Sequence, residues 1–311
     1  MGTGIIKDIS ISIIIINYNG SQLLAQCLQS IAAYTEGLEY EIIVVDNASN
    51  EGNLEQVLLE YPDVRLIQNK ENLGFAKANN IGLEYAAGKF ILFLNNDTYF
   101  IENSLRELFD FAESISNDVF IGCKLMNKDG SDQISVADFD TLANSFGESC
   151  FLYKLLPRSR LFNRFHYNYE TISRPIEVDL IKGAFMFCSG AAVKKLGGFD
   201  SRFFFFGEES DLCYRFKAMG GKVFYYPGTR VYHVGGATVD KNQWFKFKQQ
   251  NIAKIKKYQK HYRGIEFSFL LFFHYMGLFL RIPVYFFSAR FSQAFFYMKL
   301  LFEYPENEFD Q

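Results

Sequence analysis

The chain has 311 residues, 49% hydrophobic and 22% charged, enough for one large domain or two smaller ones with substantial cores. Its formal net charge of -3 lacks the basic excess that engages phosphates along a polymer, so no nucleic-acid partner is expected. Five scattered cysteines (Cys27, Cys123, Cys150, Cys188, Cys213) without a CxxC pair argue against a disulfide framework or a zinc site, and for free thiols.

The start, "MGTGIIKDIS", runs straight into a strand-like segment; it shows no signal-peptide pattern, and Ile6 breaks a myristoylation pattern. "ISIIII" (Ile11–Ile16) is a continuous β-branched run, as expected of a strand buried on both faces. "SQLLAQCLQSIAAYT" has helical spacing, "EIIVV" (Glu41–Val45) reads as strand, and "NLEQVLLEY" as helix. "VRLIQ" then reads as strand, "AKANNIGLEYAA" as helix and "KFILFL" as strand. This alternation predicts a parallel α/β sheet with crossover helices, whose ligands bind beyond the carboxyl ends of the strands. The polar groups at those ends are "NYNG", "DNAS", "NLGF" and "NND" (Asn95–Asp97). Residues 131–175 show no clear period, and regular structure resumes with "IEVDLIKGAFMFCSGAAVKKLGGFD".

The C-terminal part changes character. Eight Lys or Arg and no acid lie between Lys241 and Arg263, and an aromatic-rich stretch follows (Ile265–Phe287). Its longest uncharged run, Phe267–Leu280, is 14 residues against the roughly 20 a transmembrane helix needs, and Arg281 and Pro283 interrupt it. The expectation is helices lying in a membrane interface with their bases toward anionic headgroups.

"ISIIIINYNG", "EIIVVDNAS", "NLGFAKANNIGLEYAAGKFILFLNNDT" and "GGFDSRFFFFGEESDLCYRFKAMGGKVFYYPGTRVYHVGG" together resemble glycosyltransferase family 2, most closely its rhamnosyltransferase-like branch. Any one motif is weak; the ordered series, over about residues 10–240, is specific. The resemblance implies a GT-A fold with a mainly parallel central sheet, a nucleotide-sugar donor (UDP- or dTDP-sugar) and inversion at the anomeric carbon. It implies a catalytic domain over 1–240, its nucleotide half about 8–100 and its acceptor half about 101–240, followed by a membrane-associating region over 241–311. A peripheral position on the cytoplasmic face of the plasma membrane follows, with a saccharide or lipid-linked saccharide as acceptor.

The resemblance also implies roles. A divalent cation, Mn2+ or Mg2+, offsets charge on the leaving diphosphate. Asp97 matches the last carboxylate of the family's metal-binding DxD, and Asn95 replaces the first, offering an uncharged oxygen. His233 in "VYHVGG" matches a metal-coordinating histidine, and one imidazole among oxygens suits Mn2+ better than Ca2+. Tyr18, Asn19 and Asp46 stand where the family holds the nucleoside, with Gly74, Lys77, Asn96, Gly183 and Ala184 around the donor. A strand-end turn at Tyr18–Asn19, a helix cap at Asp46 and a solvated Lys77 are the plainer readings. Glu208–Glu209 matches the family's acidic pair, with Glu209 at the base position; a charge-favoured helix start is the alternative. Asp211 and Arg215, at i, i+4, suit an ion pair, and Phe203–Phe206 read as core. Two competing functions are a sugar nucleotidyltransferase, which "NYNGSQ" does not favour, and an inactive membrane-bound sugar-binding module, which Asn95 alone suggests.

Overall fold

The β-branched runs of the first hundred residues form strands of one ten-stranded sheet in the computed structural model, which describes residues 8–235 and 242–302. In chain order the sheet and its crossovers are β1 (Ile11–Asn17), α1 (Ser21–Tyr34), β2 (Tyr40–Asp46), α2 (Leu54–Leu59), β3 (Arg65–Gln68), α3 (Gly74–Tyr85), β4 (Phe90–Asn95), β5 (Thr98–Phe100), α4 (Ser104–Glu113), β6 (Val119–Met126), β7 (Phe185–Ser189), α5 (Glu208–Ala218) and β8 (Lys222–His233). The strand order is β3-β2-β1-β4-β7-β6-β8-β5, with two short strands paired beside β6 and β8. β1, β2, β3 and β4 run parallel, as do β6 and β8, while β7 runs antiparallel to both β4 and β6.

Ile13, Ile14 and Ile15 are all fully buried, so β1 is covered on both faces, as its unbroken apolar run requires. Helix α1 supplies part of one cover by turning Leu24, Cys27, Leu28 and Ile31 inward, a single stripe at i, i+3, i+4, i+7. Each such burial stabilises by about 1.5–3 kcal/mol, enough to fix which face of the helix looks inward. Register then sets the site. Asn17 lies opposite Asp46, Ile16 opposite Asn95, and Asp46 opposite Gln68, so the parallel strands end level. Strand β8 pairs antiparallel with β5, bringing His233 opposite Thr98.

The described chain divides into two units. Residues 8–136, 169–204 and 208–235 form the sheet unit; residues 137–168, 205–207 and 242–302 form a helical unit. The boundary expected at 240/241 lies outside the described residues. The helical unit contains Leu142–Ser149, Gln243–His261, Gly264–Phe287 and Phe291–Phe302 as α-helices. Thr141 and Asn144 begin the first of them with a reciprocal capping box.

Two expectations are corrected by the fold. The aromatic stretch is not limited to a 14-residue run: Gly264–Phe287 is one helix of 24 residues with mean hydropathy 1.6 in its most apolar window. At 1.5 Å per residue it is about 36 Å long, so by length and composition alone it is able to cross a bilayer core. Arg281 does not end it, because its guanidinium donates to the carbonyls of Gly277 and Glu148. Second, of Phe203–Phe206 only Phe203 is core; Phe204 is 39% exposed and Phe205 and Phe206 are half-buried.

Candidate active site

The polar strand ends hold one another. Asn17 donates through Nδ2 to Asp46 Oδ1 at 2.9 Å, and its Oδ1 accepts from Asn96 Nδ2 at 2.9 Å. Asp46 also accepts from the Ser49 hydroxyl at 2.6 Å and the Ser49 N–H at 3.0 Å. It therefore closes a turn well before α2 starts at Leu54 and caps no helix. Asn47, 2% exposed, accepts from Asn69 Nδ2 and the Leu73 N–H and donates to Asn72 Oδ1 and the Gly74 carbonyl. Neutral carboxamides suit this place. Each is both donor and acceptor, so a buried row of them is satisfied without burying net charge.

This network changes several expected roles. Asn19, in the left-handed region at φ 52°, accepts from the N–H groups of Asn50 and Glu51 and so fastens the loop after β2. Asn96 has its amide nitrogen committed to Asn17. Gly74, at φ 79°, serves a close approach within the protein: a Cβ there would lie 2.4 Å from the Phe204 carbonyl oxygen, which accepts from the Phe75 N–H. Tyr18 is half-buried beside Asn17, and Lys77 is exposed on the first turn of α3.

A second cluster sits where β4 ends and β8 returns. His233 Nε2 lies 3.3 Å from Asp97 Oδ1 and 3.2 Å from Asn95 Nδ2. The other ring nitrogen, Nδ1, lies 2.6 Å from Gln133 Oε1. A carboxamide oxygen only accepts, so Nδ1 donates to Gln133, and Nε2 is the ring nitrogen that faces Asp97. Gln133 is itself held by Asn127 Oδ1 at 2.9 Å. A histidine oriented through its far nitrogen is the arrangement that metal-binding imidazoles use. Asp97 Oδ2 accepts from the Gly235 N–H, leaving Oδ1 toward the imidazole. One carboxylate and one oriented imidazole are groups that a divalent cation takes as ligands, whereas Asn95 turns its amide nitrogen, not its oxygen, toward them. Among the described residues no group of three or more His, Cys, Asp and Glu gathers here or elsewhere. Strand β5 separates Asn95–Asp97 from α4, so these residues do not cap that helix.

The third cluster begins α5. The Oε2 atoms of Glu208 and Glu209 are both buried without a hydrogen-bond partner. Burial, then the neighbouring Glu209 charge, pushes the Glu208 carboxyl well above the usual carboxylate range, with Lys182 opposing. Glu209 packs 3.7 Å from where a Cβ on Gly183 would stand, and the next residue, Ala184, accepts from the Asn95 N–H at 3.1 Å. Residues 183–184 thus tie the start of α5 to the end of β4. Asp211, wholly buried, pairs with Arg215 at 2.8 Å, and Arg215 also holds the Leu196 and Gly198 carbonyls.

Sequence reasoning missed Asn17, Asn47, Ser49 and Gln133. The first three fall inside the polar strand-end groups, whose repetition was their signal. Gln133 lies 100 residues from His233 in a segment without period, and nothing local marks it.

Comparison with known proteins adds the following. The model of the family described as glycosyl transferase family 2 matches residues 12–185. An N-acetylglucosaminyl-diphospho-decaprenol L-rhamnosyltransferase of Mycobacterium tuberculosis is 26% identical over 233 residues, covering 71% of this chain and 75% of that protein. A poly(ribitol-phosphate) beta-glucosyltransferase of Bacillus spizizenii is 33% identical over 117 residues, and this match spans only 18% of that longer protein. Among solved structures, GalNAc-T7 with UDP, GalNAc and Mn2+ has a TM-score of 0.55 at 19% identity, covering 73% of this chain and 44% of that one. Staphylococcus aureus TarS 1-349 has a TM-score of 0.51 at 18% identity, covering 87% of this chain and 71% of that one. These likenesses establish the GT-A fold.

Proposed function

The chain belongs to glycosyltransferase family 2, and from that premise we propose that it is an inverting, metal-assisted transferase moving a sugar from a nucleoside-diphosphate donor to a lipid-linked saccharide. The donor is a UDP- or dTDP-sugar, and the mycobacterial relative's name favours rhamnose as the sugar. Such a transfer belongs to surface-polysaccharide or cell-wall glycan synthesis. The observation that carries the proposal is the meeting of Asp97 with Nε2 of the Gln133-oriented His233, on the strand edge that Ala184 ties toward Glu209.

The protein's own groups act as follows. Tyr18 and the rim set by Asp46 receive the base, with Lys77 facing the diphosphate from α3. Asp97 and His233, with Asn95 once its amide turned to present its oxygen, would hold a divalent cation, which would supply positive charge to the departing diphosphate. Glu209 takes the proton of the acceptor hydroxyl, and that oxygen forms the new bond to the anomeric carbon as the bond to the diphosphate breaks. Glu208, held protonated, does not compete as a base. The N-terminal end of α5 favours negative charge on Glu209.

The helical unit serves as the membrane attachment, lying on the cytoplasmic leaflet. Leu270, His274, Gly277 and Leu278 form the inward stripe of Gly264–Phe287, whereas Phe279 and Phe287 are 64% and 86% exposed. A helix with one packed and one exposed apolar face suits an interface.

A donor-hydrolysis screen with Mn2+ across UDP-, dTDP- and GDP-sugars tests the activity. Metal-dependent release of one nucleoside diphosphate is expected. Release of pyrophosphate from a nucleoside triphosphate instead, or no turnover with any donor and acceptor, would sink this reading.

A further inference from the structure

The polybasic helix does not turn all its bases outward. Lys257, 7% exposed, pairs with Asp140 Oδ2, and Arg164 Nη1 donates to Asp140 Oδ1 at 2.7 Å. Lys254 pairs with Glu148 at 2.8 Å, and Arg281 donates to the Glu148 carbonyl at 3.0 Å while its guanidinium lies over the Phe151 ring. All of these residues belong to the helical unit. Among the described residues, three cations therefore pair with two carboxylates, Asp140 and Glu148, and Arg281 meets only backbone carbonyls and a ring. His274 adds no negative charge: burial, with Lys254 and Arg281 nearby, pushes its imidazole down to about 3, so it is neutral.

A surplus of positive charge in a poorly solvated place is costly unless an anion joins it. Among the described residues, Arg164 Nε and His274 Nε2 are buried without a hydrogen-bond partner, as are Asp140 Oδ2 (its ion pair with Lys257 aside) and Ser145 Oγ, and His274 is 7% exposed. Burial, above all, and then the neighbouring Arg164 and Lys254 pull the Lys257 ammonium down to about 8 against the pull of Asp140. The cluster is not sealed, since the side chains of Glu148, Lys254 and Arg164 keep 43%, 20% and 15% of their surface.

We propose that Arg164, Lys254, Lys257 and Arg281 bind a phosphate or diphosphate group, the anionic head of a prenyl-carried acceptor. Guanidinium forks and ammonium groups match such an anion in number and geometry. The acceptor assignment rests on the glycosyltransferase reading and deepens it. The helix that carries His274 and Arg281 also exposes Phe272 and Phe279, an apolar surface for a prenyl tail.

The test is calorimetry on the full chain in metal-free buffer, with inorganic pyrophosphate in one arm and farnesyl diphosphate in detergent micelles in the other. Wild type should bind farnesyl diphosphate more tightly than pyrophosphate. Lys254→Gln and Arg281→Gln should each weaken it at least tenfold. Thermal melting checks that both variants fold; Lys254→Gln is the safer one, because its partner Glu148 reaches solvent. No binding by wild type, or binding untouched in the folded Lys254→Gln protein, overturns the site. Equal affinity for the two probes overturns its assignment to a lipid-carried acceptor. Donor hydrolysis is measured alongside: if hydrolysis fails while the anion still binds, the activity reading and the acceptor assignment fall and the anion site stands.

Discussion

The two units bury polar groups in opposite ways. At the sheet edge, Asn17, Asn47, Asn69, Asn72 and Asn96 satisfy one another mostly with neutral amides, and the one carboxylate among them, Asp46, is met by Asn17 and Ser49. In the helical unit, the groups around Asp140 are full charges, and cations outnumber carboxylates among the described residues. A network of amides is complete by itself and serves as a rigid frame. A cluster with surplus charge is complete only with a ligand. This difference separates residues that hold a site in shape from residues that touch what enters it.

The sharpest break of this distinction is at α5. Glu209→Gln keeps size and removes basicity, so sugar transfer at saturating donor should fall by about 10²–10⁴-fold with nucleotide affinity nearly unchanged. Near-normal transfer would move the base elsewhere. The next effect is on stability. Asp140→Ala strands Arg164 and Lys257 and should cost about 3–5 kcal/mol in chemical denaturation, the usual result of breaking a buried ionic group. A loss below that of Asn47→Ala would show that the cluster is not held by charge. Asn47→Ala orphans donors and acceptors on Asn69, Asn72 and Leu73 and should cost about 1–3 kcal/mol. Its transfer activity should drop only as folding does.

The smallest effect is a slope. Glu208 keeps its proton when folded at a pH where the unfolded chain has lost it. The folded state then binds more protons, so this group makes stability fall as pH rises above the ordinary carboxylate value of 4.5. Glu208→Gln should flatten that fall in melting curves taken from pH 5 to 8. An unchanged slope would mean that burial does not hold the proton there. Membrane attachment is probed by flotation with phosphatidylglycerol vesicles. Wild type should float, and the triple change Ile265→Ser, Phe279→Ser, Phe287→Ser should remain in solution. Equal behaviour of the two would remove the exposed face from the account.

Much of the sheet was legible, because a strand buried on both faces must read as an apolar run, as Ile13–Ile16 does. The site edge was legible for the same reason: polar groups that follow such runs fall at level strand ends once the register is parallel. What stayed hidden depended on distant partners. Lys254 and Glu148 are 106 positions apart, so a run of bases without local acids read as turned outward to anionic headgroups. Arg281 looked like a helix interruption because the carbonyl of Glu148, which accepts from it, lies 133 positions away. Gly74 was read as making room for a ligand, whereas Phe204 occupies that room. Local pattern reports which face is apolar; it does not report which neighbour arrives from another part of the chain.

The central claim is that Asp97 and the Gln133-oriented His233 anchor a cation against a nucleoside diphosphate. Calorimetry of UDP and dTDP, with and without Mn2+, measures it directly on wild type, Asp97→Ala and His233→Ala. The account predicts that Mn2+ tightens binding to wild type and that both variants lose at least tenfold of the Mn2+-dependent affinity. Equal affinity in Asp97→Ala and wild type, with Mn2+ present, would contradict it.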